Sequence, residues 1–310
     1  MSSTTKEGLS MEEINKIFGP NGEELRAKRH ILTDRTLERI QEDKDYVPVI
    51  LKRSDESVRH PDDILKKAIG KGLEQYKRTK LSLFLSAFSA GLIIGFAGMC
   101  VALITQLIPS NENILANRLA VAFVYPLGFI VCIMSGTQLF TEHTATAVYP
   151  ILDKKIKYKC LLILWGVILI GNFIGTFCSS ILLYFSDSVI LAGIGFTEVA
   201  HHLIQFSFFK VFVSAVLAGW LMAQAGWLIL ATPSTSGQIL CIYIVTFIIG
   251  LGGLHHSIAA SSEIFSALLH STHPEFFSSF KFLISAILGN LVGGSFFVGV
   301  LNYAHIKKTQ

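Results

Sequence analysis

Charge is what this chain lacks beyond residue 80. Its first 80 residues hold 17 of the 26 lysines and arginines and 15 of the 22 acids, so the 230 that follow are nearly bare of charge. With 51% hydrophobic residues, 15% charged and a mean hydropathy of +0.54, an ordinary soluble domain is excluded and a polytopic membrane protein is implied. The N-terminal cations are interleaved with acids, so the formal net charge of +4 does not make a nucleic-acid face. Cysteine is scarce too. Cys100, Cys132, Cys160, Cys178 and Cys241 lie in or beside apolar stretches at irregular spacing, which speaks against a disulfide framework or a metal knuckle. The ten histidines offer no Cys/His/acid set with ligand spacing inside one element, so neither a metal nor a cofactor is expected. Gly-x-Ser-x-Gly and His-Glu-x-x-His are both missing, and no enzyme is expected. The first 45 residues are polar, without the apolar core of a cleavable signal peptide.

What is there is a series of long apolar runs behind a charged extension. Residues 1–79 read as a cytosolic helical extension, with candidate helices over 11–18 and 23–46. A third opens at Pro61-Asp62-Asp63 and carries Ile64, Leu65, Ala68, Ile69 and Leu73 at helical spacing, which suits a helix lying along the membrane surface. Residues 80–310 read as a transmembrane channel domain with six spans: 81–108, 125–150, 158–185, 205–230, 238–270 and 277–304. The second is decisive. Between Arg118 and Asp153 the sole charged residue is Glu142, yet the stretch is too long for one span of roughly 20 residues and too short for two. A helix that enters, unwinds over 136–143 and resumes fits the length. Unwound backbone at membrane depth must be buried in protein or line a cavity, so the break predicts a pathway near the midplane. The fifth span is interrupted likewise, over 250–257.

The two halves match. Each has a plain span, a glycine-interrupted span and a span carrying Gly-Asn-x-x-Gly, at 171–175 and 289–293. Three spans per copy is odd, so the copies are inverted, as in folds that bind cargo between repeats. Asn172 and Asn290 are expected to pack and bond between helices rather than touch cargo. Lysines before span one, between spans two and three (Lys154, Lys155, Lys157, Lys159) and after span six share one side, which places both termini in the cytoplasm.

Ionisable groups inside apolar sequence are functional candidates by default. His256 follows the second break; its neighbour His255 would point elsewhere on a helix, so at most one of the two should face a pathway. Thr141 lies in the first break beside Leu139 and Phe140, which suit an apolar gate. Glu142 and His143 would pair with each other or with Lys210.

At Gly136-Thr137-Gln138-Leu139-Phe140-Thr141 and His256-Ser257-Ile258-Ala259, with both Gly-Asn-x-x-Gly elements, the chain resembles the formate/nitrite transporter family. The resemblance covers roughly residues 81–304, and the extension looks like that of a less-studied inner-membrane branch. It implies an all-α, aquaporin-like fold of six transmembrane helices in two inverted repeats, assembled in the inner membrane as a homo-pentamer with one pore per protomer. Small monovalent anions or their acids, of the formate, nitrite and lactate class, would pass together with protons. Phe129 and Ile249 would form the cytoplasmic-side constriction, Tyr125, Leu139 and Phe140 the periplasmic one, with Thr141 and His256 in the chamber between. Some positions depart from the family pattern. No lysine stands between Lys159 and Lys210, where the family has one before the fourth span; Glu198 is there instead. Lys210 replaces a family glutamate, Gly219 an asparagine, His255 an acid and Ala260 an asparagine. Glu142 and His143 replace small uncharged residues. These departures leave open a channel of the same fold for a small neutral solute or a cation.

Overall fold

The structure, a computed structural model, describes residues 16–18, 24–26, 60–109 and 113–308. The chain divides into two compact units, Met1–Ser57 and Val58–Gln310. In the first, β1 (Lys16–Phe18) pairs antiparallel with β2 (Glu24–Arg26), Lys16 opposite Arg26. This corrects the helices expected over 11–18 and 23–46 where the two overlap; the rest of those ranges lies outside the described residues. The physical reason is in the sequence between the strands, Gly19-Pro20-Asn21-Gly22, whose residues favour chain reversal over helix.

The second unit is helical. It opens with α1 (Pro61–Lys77), with Pro61 at its first position and Asp62 and Asp63 in the first turn, where helix geometry and dipole favour them. Then come α2 (Lys80–Leu107), α3 (Ile114–Met134), α4 (Phe140–Leu152), α5 (Tyr158–Phe185), the short α6 (Asp187–Ile190), α7 (Gly193–Ile204), α8 (Phe208–Ala231), α9 (Thr235–Gly252), α10 (Ser257–His270) and α11 (Phe276–Val292). A π-helical stretch, Gly293–Val300, joins α11 to α12 (Leu301–Lys308). Among the described residues, six segments are long and apolar enough to cross a membrane: α2, α3, α5, α8, α9 and Phe276–Lys307.

The apolar stripe of α1 is covered by other helices. Ile64, Leu65, Ala68 and Ile69 pack on Ala145 and Tyr149 of α4, Leu230 of α8 and Ile306 of α12. The Tyr76 hydroxyl donates to the Ala147 carbonyl at 2.7 Å. Helix α1 thus belongs to the same compact unit as the apolar helices that follow it.

Contacts repeat between the halves. α2 crosses α5 where Gly91 meets Gly175, and α8 crosses α11 and the π stretch where Val216 meets Gly293; a Cβ on Gly175 or Gly293 would run into the facing backbone. α1 packs on α4 and α8, as α7 packs on α10 and α2. α7 has no counterpart among the expected spans, being too short to register as one.

The backbone leaves helix at two places between paired segments. After α3, Gly136 takes φ +68°; after α9, Gly253 takes φ +58°, the left-handed region that glycine enters at no steric cost. The first break is shorter than expected. Helix resumes at Phe140, so Thr141, Glu142 and His143 form the first turn of α4 rather than unwound chain.

Candidate functional site

Asn172 and Asn290 hold the two breaks in the same way. On α5, Asn172 accepts from Phe140 N–H at 2.9 Å and donates to the carbonyls of Gln138 (2.9 Å) and Ala87 (2.8 Å). On α11, Asn290 accepts from Ser257 N–H at 2.7 Å and donates to those of His255 (3.0 Å) and Ala215 (2.8 Å). Each side chain thus satisfies the first orphan N–H of a resuming helix and a carbonyl freed by the break. Both are fully buried.

Between these clamps, Thr141 Oγ1 and His256 Nε2 approach to 2.6 Å. The meeting point lies where the N-termini of α4 and α10 converge, so two positive dipole ends share it. His256 Nδ1 accepts from Ala259 N–H at 3.1 Å, capping α10. With that nitrogen an acceptor, the ring hydrogen of neutral His256 sits on Nε2 and is donated to Thr141 Oγ1. The threonine's own hydroxyl proton can then be offered to another acceptor. The Phe129 ring lies edge-on to His256 with centroids 5.0 Å apart, and its centroid is 4.9 Å from that of Tyr125.

A cavity of about 100 Å³ leads to this point from the side of the α2–α3 connection. Its walls include Arg118, Glu198 and His202 nearer the mouth, and Tyr125, Ile249, His255, His256 and Glu263 deeper in. Burial, then the nearby Arg118 charge, hold His202 below the usual imidazole value, so it is neutral at pH 7. Tyr125 and Ile249, expected in opposite constrictions, share this wall. Phe129, Leu139 and Phe140 do not line it. The Phe140 ring instead faces Trp165, two turns into α5 from its lysine-rich end, with centroids 6.5 Å apart. Tyr125 and Ile249 thus lie together at the cavity, whereas Phe129, Leu139 and Phe140 are not part of its lining. His255 and His256 both line the cavity, against the expectation that at most one would, because neither lies within a helix and the helical offset between neighbours does not apply.

A protein-family model described as Formate/nitrite transporter matches residues 62–304. The chain belongs to the formate/nitrite transporter family. The inner membrane protein YfdC of Escherichia coli is 29% identical over 242 residues, 76% of this chain and 76% of its own length. Among solved structures, an FNT family ion channel superposes with a TM-score of 0.72 at 19% identity, covering 79% of this chain and 99% of that one. A pentameric formate channel with formate bound gives a TM-score of 0.63 at 21% identity, covering 74% and 98%.

Against the family pattern, the structure separates the departures noted in sequence. Glu198 stands at the cavity, where a family lysine was expected nearby. Lys210 does not; it is exposed in the first turn of α8. Nor does it pair with Glu142, which packs beside Gly226 of the same helix, 16 residues on and so roughly 24 Å along the axis at 1.5 Å per residue. Glu142 Oε2 is buried without a hydrogen bond, 3.7 Å from His143 Nδ1, which bonds the Leu139 carbonyl at 3.0 Å. Gly219 packs against the Asn290 backbone, where a side chain would not fit. Glu263 was missed altogether. It is the one acid between Glu198 and Glu275 and lies seven residues after His256, two helical turns along the same face, a signal the intramembrane-charge rule should have caught.

Proposed function

We propose that this protein is a proton-linked channel for small monovalent anions or their acids, of the formate, nitrite and lactate class, with one pore in each protomer of a homo-pentamer. The observation that carries the reading is the 2.6 Å contact of Thr141 Oγ1 with His256 Nε2 at the junction of two helix N-termini. The Thr141 hydroxyl, oriented by the His256 Nε2–H and backed by two positive dipole ends, suits an oxyanion. Family membership and a pentameric formate channel of the same fold support the cargo class and assembly. A bare anion crossing the apolar side chains of Phe129, Leu139 and Phe140 would lose its hydration without replacement, at a cost of several kcal/mol. Taking a proton from water that enters by the cavity lets it cross as the neutral acid. Lysines 154, 155, 157 and 159 lie where α4 leads away from the cavity, so the cavity faces outward and both termini face the cytoplasm in a multi-pass inner-membrane protein. On this reading Tyr125 and Ile249 form the periplasmic-side constriction and Phe129, Leu139 and Phe140 the cytoplasmic-side one.

Formate flux into proteoliposomes at two external pH values tests the proposal. Flux should rise as pH falls and drop by at least about tenfold, or about 1.4 kcal/mol of barrier, in His256→Ala. His256→Asn, which keeps an acceptor to cap α10, should lose flux while assembling normally. Glycerol or cation flux unaffected by either substitution would overturn the reading.

A further inference from the structure

The cavity holds a carboxyl group that the proposed transport step does not use. Glu263, on α10, is 5% exposed and lines the same wall as Tyr125 and His256. Among the described residues its carboxyl group makes no hydrogen bond or ion pair. The Tyr125 hydroxyl and His255 Nδ1, on the same wall, have no hydrogen-bond partner among those residues either. Three unpartnered polar groups around about 100 Å³ make room for about three waters or one small polar molecule that bonds them. An apolar vestibule would need none of them. The charged and titratable groups facing this space are Arg118 and Tyr125 on α3, Glu198 and His202 on α7, and His255 and His256 at the break. From α2 come Val101 and Thr105, which do not titrate, while the Glu263 stem packs on Gly98. Arg118, the nearest full cation of the lining, lies against Gly253 at the mouth, so the buried part of the cavity holds a carboxyl group without a cation beside it.

We propose that Glu263 is a specificity-determining residue that makes this cavity select the neutral acid: as a carboxylate it excludes anions, and as a carboxylic acid it hydrogen-bonds the undissociated cargo. The proton that Glu263 gains or gives up is exchanged with water of the cavity, and no other bond is made or broken. Selection then occurs within the cavity, beside Tyr125 and one step ahead of His256. The inference rests on the transport reading above and deepens it, since it names the form of the cargo that the cavity admits. A cavity that attracted anions, as a lysine at the mouth would make it, needs no such carboxyl group.

The test compares formate flux in proteoliposomes at external pH 5.5 and 8.0 for the wild type, Glu263→Gln, Glu263→Leu and Glu263→Asp. Both neutral replacements should raise flux at pH 8.0 by about tenfold relative to the wild type, flattening the pH profile, because the repelling charge is gone. Glu263→Asp keeps the charge and should keep the wild-type profile. Using two neutral side chains, one polar and one apolar, guards against a substitution that fails to assemble. If assembled neutral variants retain the wild-type ratio of fluxes, or if Glu263→Asp flattens it as they do, the assignment is overturned while the transport reading stands. If the wild type passes no weak acid at either pH, both fall together.

Discussion

At the scale of single residues, the site depends on two asparagines whose amides are taken up by backbone groups. Asn172 closes three buried hydrogen bonds at once, to Phe140, Gln138 and Ala87, and Asn290 closes three more. Removing one such side chain leaves buried N–H and C=O groups unpaired, each worth about 1–3 kcal/mol and not fully additive. Asn172→Ala and Asn290→Ala should each destabilise the folded protein by about 3 kcal/mol or more, read as a lowered thermal midpoint in detergent. Asn172→Asp keeps the size and the acceptor but turns the donor into a second acceptor facing two carbonyls, so it should be at least as damaging. An unchanged midpoint in all three would show that the breaks are held by something else. The same clamps explain a limit of reading the sequence. The amides were legible as interhelical bonds, but Leu139 offers no capping side chain, so nothing local says that helix resumes at Phe140. The cap comes from a residue 32 positions away.

At the scale of elements, the two Gly-Asn-x-x-Gly spans were legible because small residues at helical spacing have one strong use, close crossing. Gly175 meets the backbone of Phe88 and Gly91 on α2, whereas a Cβ added to Gly166, nine residues earlier on the same helix, would meet nothing within 4 Å. Gly175→Leu should therefore prevent recovery of folded, assembled protein. Gly166→Leu should change stability by no more than about 0.5 kcal/mol, as surface substitutions do. Size-exclusion elution with a thermal melt distinguishes the two, and equal tolerance at both positions would refute the crossing as the reason for glycine. The breaks were legible for a related reason, since their length in nearly uncharged sequence fits no whole number of spans. α7 was not. Its 12 residues carry Glu198, His201 and His202 among apolar ones, a pattern shared by surface loops, and only its packing on α10 and α2 reveals it as the partner of α1. Glu263 escaped for a different reason: it lies two turns beyond the second glycine break, inside resumed helix, so the break that marks His256 does not mark it and its charge alone does.

At the scale of the whole molecule, the functional reading depends on which way the cavity faces. On the proposed reading, an outward-facing cavity puts Tyr125 and Glu263 on the side from which acid arrives and leaves Phe129, Leu139 and Phe140 as the proposed barrier toward the cytoplasm. The loop cations argue for this direction, because Lys154 to Lys159 follow α4 at the end remote from the cavity. Lys157 and Thr272 are both exposed, the first in the connection between α4 and α5 and the second just past α10, so they report on opposite ends of the two broken spans. In a background with the five native cysteines replaced, Lys157→Cys in sealed right-side-out vesicles should resist a membrane-impermeant maleimide until the vesicles are opened, while Thr272→Cys should react at once. The reverse pattern would turn the cavity toward the cytoplasm, exchange the two constrictions, and make Glu263 a filter on export instead of uptake. Reaction of both from one side would be worse for the fold itself, since an odd number of crossings separates them in any arrangement of six spans with inverted halves.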